Sequence, residues 1–75
     1  MSFRTVQTRS STNVAAVEYD DETLDLVITF HRNMRRYRYS PVPADAVLGF
    51  TTSGLTAGKY FQLYVEGQYP YEELP

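Results

Sequence analysis

Between Leu24 and Phe30 every second residue is large and apolar: Leu24, Leu26, Ile28 and Phe30, with Asp25, Val27 and Thr29 between them. Side chains of a β-strand point alternately to opposite faces, so this run predicts a strand with one face buried. It also constrains its neighbours. Asp20-Asp21-Glu22 just before it has turn chemistry, and Asn33 just after it tolerates the positive φ of a tight turn. The strand is therefore the middle member of a meander, with Asn13 to Tyr19 ahead of it and Arg35 to Ser40 behind.

Parity assigns the faces. A second hairpin turning on Arg32-Asn33 sets Ile28 opposite Tyr37 and Leu26 opposite Tyr39. A first hairpin with an even loop sets Tyr19 opposite Leu24 and Val17 opposite Leu26. One face then carries Ala15, Val17, Tyr19, Leu24, Leu26, Ile28, Phe30, Tyr37 and Tyr39. The other carries Val14, Ala16, Glu18, Asp25, Val27, Thr29, Arg36, Arg38 and Ser40. A slip by one residue would exchange the faces of a strand, so the agreement of all three runs is informative.

Pro41 and Pro43 end the third strand, since proline donates no ladder bond. Pro43 suits the start of a helix and Asp45 its positive end, with Ala44, Val47 and Leu48 facing the core. Gly54 stops this helix. Thr56 caps a second one, Ala57 to Glu66, whose apolar stripe includes Tyr60, Phe61, Tyr64 and Val65. Gly67 ends it, and "QYPYEELP" is an extended tail with Tyr69, Tyr71 and Leu74 free to pack. The expected fold is α+β: a three-stranded antiparallel meander in β-β-β-α-α order against two short helices.

A chain of 75 residues is one domain. It hides only about 60% of its unfolded surface, so the core is thin, and without cysteine no disulfide or thiolate metal site reinforces it. Residues 1–9 are read as an N-terminal extension, either an added strand or a flexible lead, and residues 10–75 as the domain. That lead lacks the apolar middle of a signal peptide, and no apolar run approaches a membrane span. The expected location is the cytoplasm.

Several segments together resemble the KTSC domain, a family named for the C-terminus of some lysyl-tRNA synthetases. They are "SSTNVAAVEYD"; then Tyr37, Arg38 and Tyr39 before Val42-Pro43; then the helix start "TAGKYFQ", Thr56 to Gln62. The likeness runs from Ser10 to Leu74. Thr56 and Gln62 stand where members usually have Ser and Asn, and Val65-Glu66 where members often carry a basic residue. The resemblance implies a small nonenzymatic domain for which RNA binding is a suggested role.

The chemistry-bearing residues say little of catalysis. His31 sits at a hairpin tip with no evident nucleophile to deprotonate, and reads as an exposed turn residue. Asp20, Asp21, Glu22 and Asp25 lack the spacing of a calcium loop, and read as a solvated turn. "GLTAGK" fails the phosphate-loop spacing. No cofactor or metal is expected, and no enzyme activity.

The net charge of −2 argues against a dedicated duplex-DNA binder, yet four of the six arginines fall between residues 32 and 38. Parity buries the rings of Tyr37 and Tyr39 and turns Arg36 and Arg38 outward, beside Val14, Ala16 and Val27. The candidate contact residues are thus Arg32, Arg35, Arg36, Arg38, Val27 and Lys59. Two uses fit them: binding RNA or single-stranded nucleic acid through the arginine-rich hairpin, or a protein-interaction module, adaptor or inhibitor, on the outer sheet face. Arginine among apolar neighbours is typical of protein interfaces. The second use implies an acidic partner surface or a homodimer.

Overall fold

The computed structural model describes residues 2–75. The predicted meander is present: β2 (Val14–Asp20), β3 (Asp25–Phe30) and β4 (Arg36–Tyr39) are joined by hairpins. The second hairpin has the expected register, with Ile28 opposite Tyr37 and Leu26 opposite Tyr39. The first is displaced by two residues, so Tyr19 faces Leu26 and Val17 faces Ile28. A shift of two keeps every side chain on its face. The cause lies in the turn. Asp20 Oδ1 accepts from the backbone N–H groups of Glu22 at 2.9 Å and Thr23 at 3.4 Å. The turn closes on Leu24, at φ 63°, instead of pairing it. Asp20 is therefore not a solvated turn residue; it is 1% exposed and built into the turn.

Two strands extend the sheet beyond the expected three. β1 (Arg4–Thr5) pairs with β2, and β5 (Tyr71–Leu74) pairs with β4, giving an antiparallel sheet in the order β1-β2-β3-β4-β5. Residues 1–9, apart from the undescribed Met1, run as more than a flexible lead. Val6 N–H donates to Val17, and Thr51 Oγ1 donates to the Gln7 carbonyl at 2.7 Å. Arg9 accepts from Ala57 N–H and donates to the Gly54 carbonyl.

α1 (Ala44–Thr52) and α2 (Ala57–Tyr64) lie between β4 and β5 in sequence and cover one sheet face. Pro43 is the residue before α1, and Thr56 Oγ1 caps α2 by accepting from Lys59 N–H. Val47 and Phe50 enter the core from α1, whereas Ala44 and Leu48 face solvent, against expectation. Helix periodicity admits either stripe, and the ring of Phe50 fixes the choice by packing on Tyr60 at 4.6 Å. A Cβ at Gly49 would overlap the Tyr60 ring, so only glycine lets the two helices approach this closely. The Ser40–Pro41 peptide is cis.

The core joins Val17, Tyr19, Leu26, Ile28 and Tyr39 of the sheet to Val47, Phe50, Ala57, Tyr60, Phe61 and Val65. Val14 joins them too, which corrects its assignment to the outer face. A bulge between Val14 and Ala16 places Val14 opposite Phe30 and reverses its side.

Candidate binding cleft

The strand β4 reads Arg-Tyr-Arg-Tyr, so alternation turns Tyr37 and Tyr39 toward the helices and Arg36 and Arg38 away. Beside these rings stands Phe30, at the end of β3, meeting Tyr37 edge-on at 5.7 Å. Phe61 of α2 meets Phe30 and Tyr39, each at 5.5 Å. Tyr71 faces Tyr39 across the β4–β5 ladder and lies 5.3 Å from its ring and 5.8 Å from that of Tyr37.

These rings line a cleft of about 540 Å³ whose remaining wall is polar: Asn13, Arg32, Asn33, Gln62, Glu66 and Gly67. Tyr39 and Phe61 form its closed floor, while Tyr71 at its mouth is 64% exposed. Three local features bring the walls together. The Thr56 cap sets the phase of α2 and thereby the aim of Phe61. Gly58 lets Asn13 lie against the helix, because a Cβ there would overlap the Asn13 carboxamide. Gly67, at φ 80°, turns the chain so that β5 returns beside β4.

Burial, helped by the nearby Glu66 carboxylate, pushes the Tyr39 phenol up to about 12. It therefore stays protonated, and remains a donor on the cleft floor, at any physiological pH.

The candidate residues do not share one surface. Arg32 reaches the cleft. Arg35 is held by Glu73 at 3.0 Å, and the Tyr37 hydroxyl donates to the same carboxylate at 3.5 Å. Arg38 is paired with Glu72, its cross-strand neighbour. Arg36 lies opposite Leu74 and has no ion pair among the described residues. Lys59 is exposed on α2, in the other layer of the fold. Val27 is only 2% exposed, which corrects its place among the contact residues. It sits between Glu18 and Arg38 in cross-strand register, and long charged side chains cover apolar surface with their stems. Val27 is covered and Val14 is turned inward, so neither adds apolar surface to the outer face. His31 is exposed, as expected. Among the described residues no three His, Asp or Glu side chains gather as a metal site.

Sequence reasoning missed Asn13, Phe61, Gln62, Glu66 and Tyr71 as site residues. The signal was there for three of them. Asn13, the Tyr37/Tyr39 pair and Phe61-Gln62 belong to the three segments that carried the family resemblance, and the fold brings those segments to one cleft.

The KTSC domain model matches residues 10–69. The chain belongs to the KTSC domain family. Its fold is similar to the crystal structure of the KTSC domain protein YPO2434 from Yersinia pestis, with a TM-score of 0.84 over 99% of this chain and 100% of that one. At 24% identity this likeness is one of fold. No curated protein matches the chain. The association with lysyl-tRNA synthetases that the resemblance suggested has no support in either likeness. The matched span of this KTSC domain includes every cleft residue except Tyr71, which β5 adds. Among the described residues no helix is long and apolar enough to cross a membrane.

Proposed function

We propose that this KTSC domain is a nonenzymatic binding module for single-stranded nucleic acid, RNA above all. One splayed base enters the aromatic cleft, and Arg32 meets an adjoining phosphate. The observation that carries this reading is the joining, in one cleft, of several aromatic rings, with Tyr71 largely exposed, and the Arg32 guanidinium, which has no ion pair among the described residues. Modules that bind single strands stack bases on such rings and hold the backbone with cations. The volume of about 540 Å³ lies within the usual range of ligand sites. The arginine strip plays a smaller part than its sequence suggests, since Arg35 and Arg38 are paired with glutamates.

Fluorescence anisotropy with labelled mixed-sequence RNA at low salt tests the reading. Tyr71→Ala leaves the core intact and should weaken binding about tenfold, the loss of one stacked base. Arg32→Ala should weaken it as well, while Arg38→Ala and Lys59→Ala change little. Absence of binding at roughly tens of micromolar protein, where even nonspecific binders respond, overturns the proposal.

A protein-interaction reading moves from the outer sheet face to the helices, where Leu48, Leu63 and Tyr64 are exposed. Sedimentation of the isolated domain and of Leu48→Ser would reveal self-association through that layer.

A further inference from the structure

The polar wall of the cleft is not uniform. Arg32 supplies only donors, Glu66 only acceptors, and the carboxamides of Asn13 and Gln62 supply both. Glu66 follows α2, and its backbone N–H donates to the Phe61 carbonyl at 2.9 Å. Glu66 lines the same cleft as the rings, and its carboxylate adds to the burial that raises the Tyr39 phenol. An occupant must present a planar body to the rings, an anion toward Arg32 and N–H donors toward Glu66.

The bases differ sharply in that last respect. Guanine has two adjacent donors on its pairing edge, N1–H and the N2 amino group, which match the two oxygens of a carboxylate. Adenine and cytosine each offer one amino group beside an acceptor, and uracil a single N–H between two carbonyls. A carboxylate set against an acceptor-bearing edge suffers repulsion or an unsatisfied lone pair, whereas two parallel N–H···O⁻ bonds add both strength and geometric selection.

We infer that the cleft selects guanine, with Glu66 accepting from N1–H and the N2 amino group while the base lies among Phe30, Tyr37 and Tyr71 and its phosphate meets Arg32. This rests on the single-strand reading above and names the base it takes.

The test uses the whole domain and short labelled oligouridines with one central substitution: guanosine, inosine, adenosine or uridine. Inosine keeps N1–H and lacks the N2 amino group, so it removes one bond without touching the protein. The guanosine oligomer should bind about tenfold more tightly than the adenosine and uridine ones, with inosine between. Glu66→Gln, at an exposed position, should fold as the parent does and level the four affinities, because an amide, one donor beside one acceptor, finds a matching donor–acceptor pair on all four base edges. Equal affinities for all four in the parent, or a guanosine preference that survives Glu66→Gln, overturns the guanine assignment and leaves single-strand binding in place. Failure of every oligomer to bind overturns both. Saturable binding of an acetylated, amidated arginine peptide in their stead would make the cleft a guanidinium receptor, with Glu66 as its anchor.

Discussion

Val27 lies on the sheet face turned away from the helices and is nevertheless interior. Parity assigns the side of a strand on which a residue stands; it does not say what the neighbouring side chains cover. Val27→Asp should therefore cost about 3 kcal/mol, the penalty of a buried and unpaired charge, where an open surface position would cost a few tenths. Urea denaturation of the variant measures it. Tyr37 makes the opposite point. It faces the core side, yet it is half-buried at the cleft wall. Tyr37→Ala should cost about 2 kcal/mol, below the range for a fully buried aromatic truncation. Gly58→Ala should destabilise the fold by roughly 1–2 kcal/mol, because the Asn13 carboxamide must move to admit the methyl group. Differential scanning calorimetry would show a lowered Tm in each case.

The elements legible from sequence were those with a period. The alternation of β3 and β4 fixed their mutual register, and Thr56 marked the start of α2. What escaped has physical reasons. β1 spans only Arg4–Thr5, too short for any alternation to show. β5 reads Tyr-Glu-Glu-Leu and is mostly exposed, so it carries no apolar stripe. Its pairing is defined by its partner, with Glu72 opposite Arg38 and Glu73 opposite Tyr37. The bulge at Ala15 was invisible because it alters the side of Val14 alone. The cleft was unreadable for a related reason: Tyr71 reaches it only because β5 exists. Both ion pairs made by β5 are substantially exposed and so contribute little stability. Glu72→Gln with Glu73→Gln should cost under about 1 kcal/mol and should strengthen RNA binding, since two guanidinium groups are released. Denaturation and anisotropy on the same variant separate the two effects.

At the scale of the whole molecule the interior is tied together by tyrosines. The Tyr19 hydroxyl donates to the Val42 carbonyl at 2.6 Å, and that of Tyr60 to the Ala46 carbonyl at 2.5 Å. Burial, more than any neighbouring charge, raises the pKa of Tyr19, Tyr39 and Tyr60 above 10.0, in the case of Tyr39 to about 12. Below the ordinary value both folded and unfolded chains keep these protons, and the stabilisation is complete. As pH climbs from 10 toward 12 the unfolded chain releases protons that the folded chain retains, so stability falls through that window. Thermal melts across it, followed alongside phenolate absorbance, should show the loss, and Tyr39→Phe should lessen its slope. The pairing of β5 with the arginine strand has a different consequence, in the language of ion exchange. Glu72 and Glu73 are counterions that cannot diffuse away. A phosphate must displace a tethered carboxylate to reach Arg35 or Arg38, so these two guanidiniums neutralise few phosphates and release few of the cations condensed on the nucleic acid. The dependence of log affinity on log salt concentration should then have a slope near −0.7 for a phosphate on Arg32, or about −1.4 if Arg36 takes a second, and not the roughly −2.8 of four open arginines.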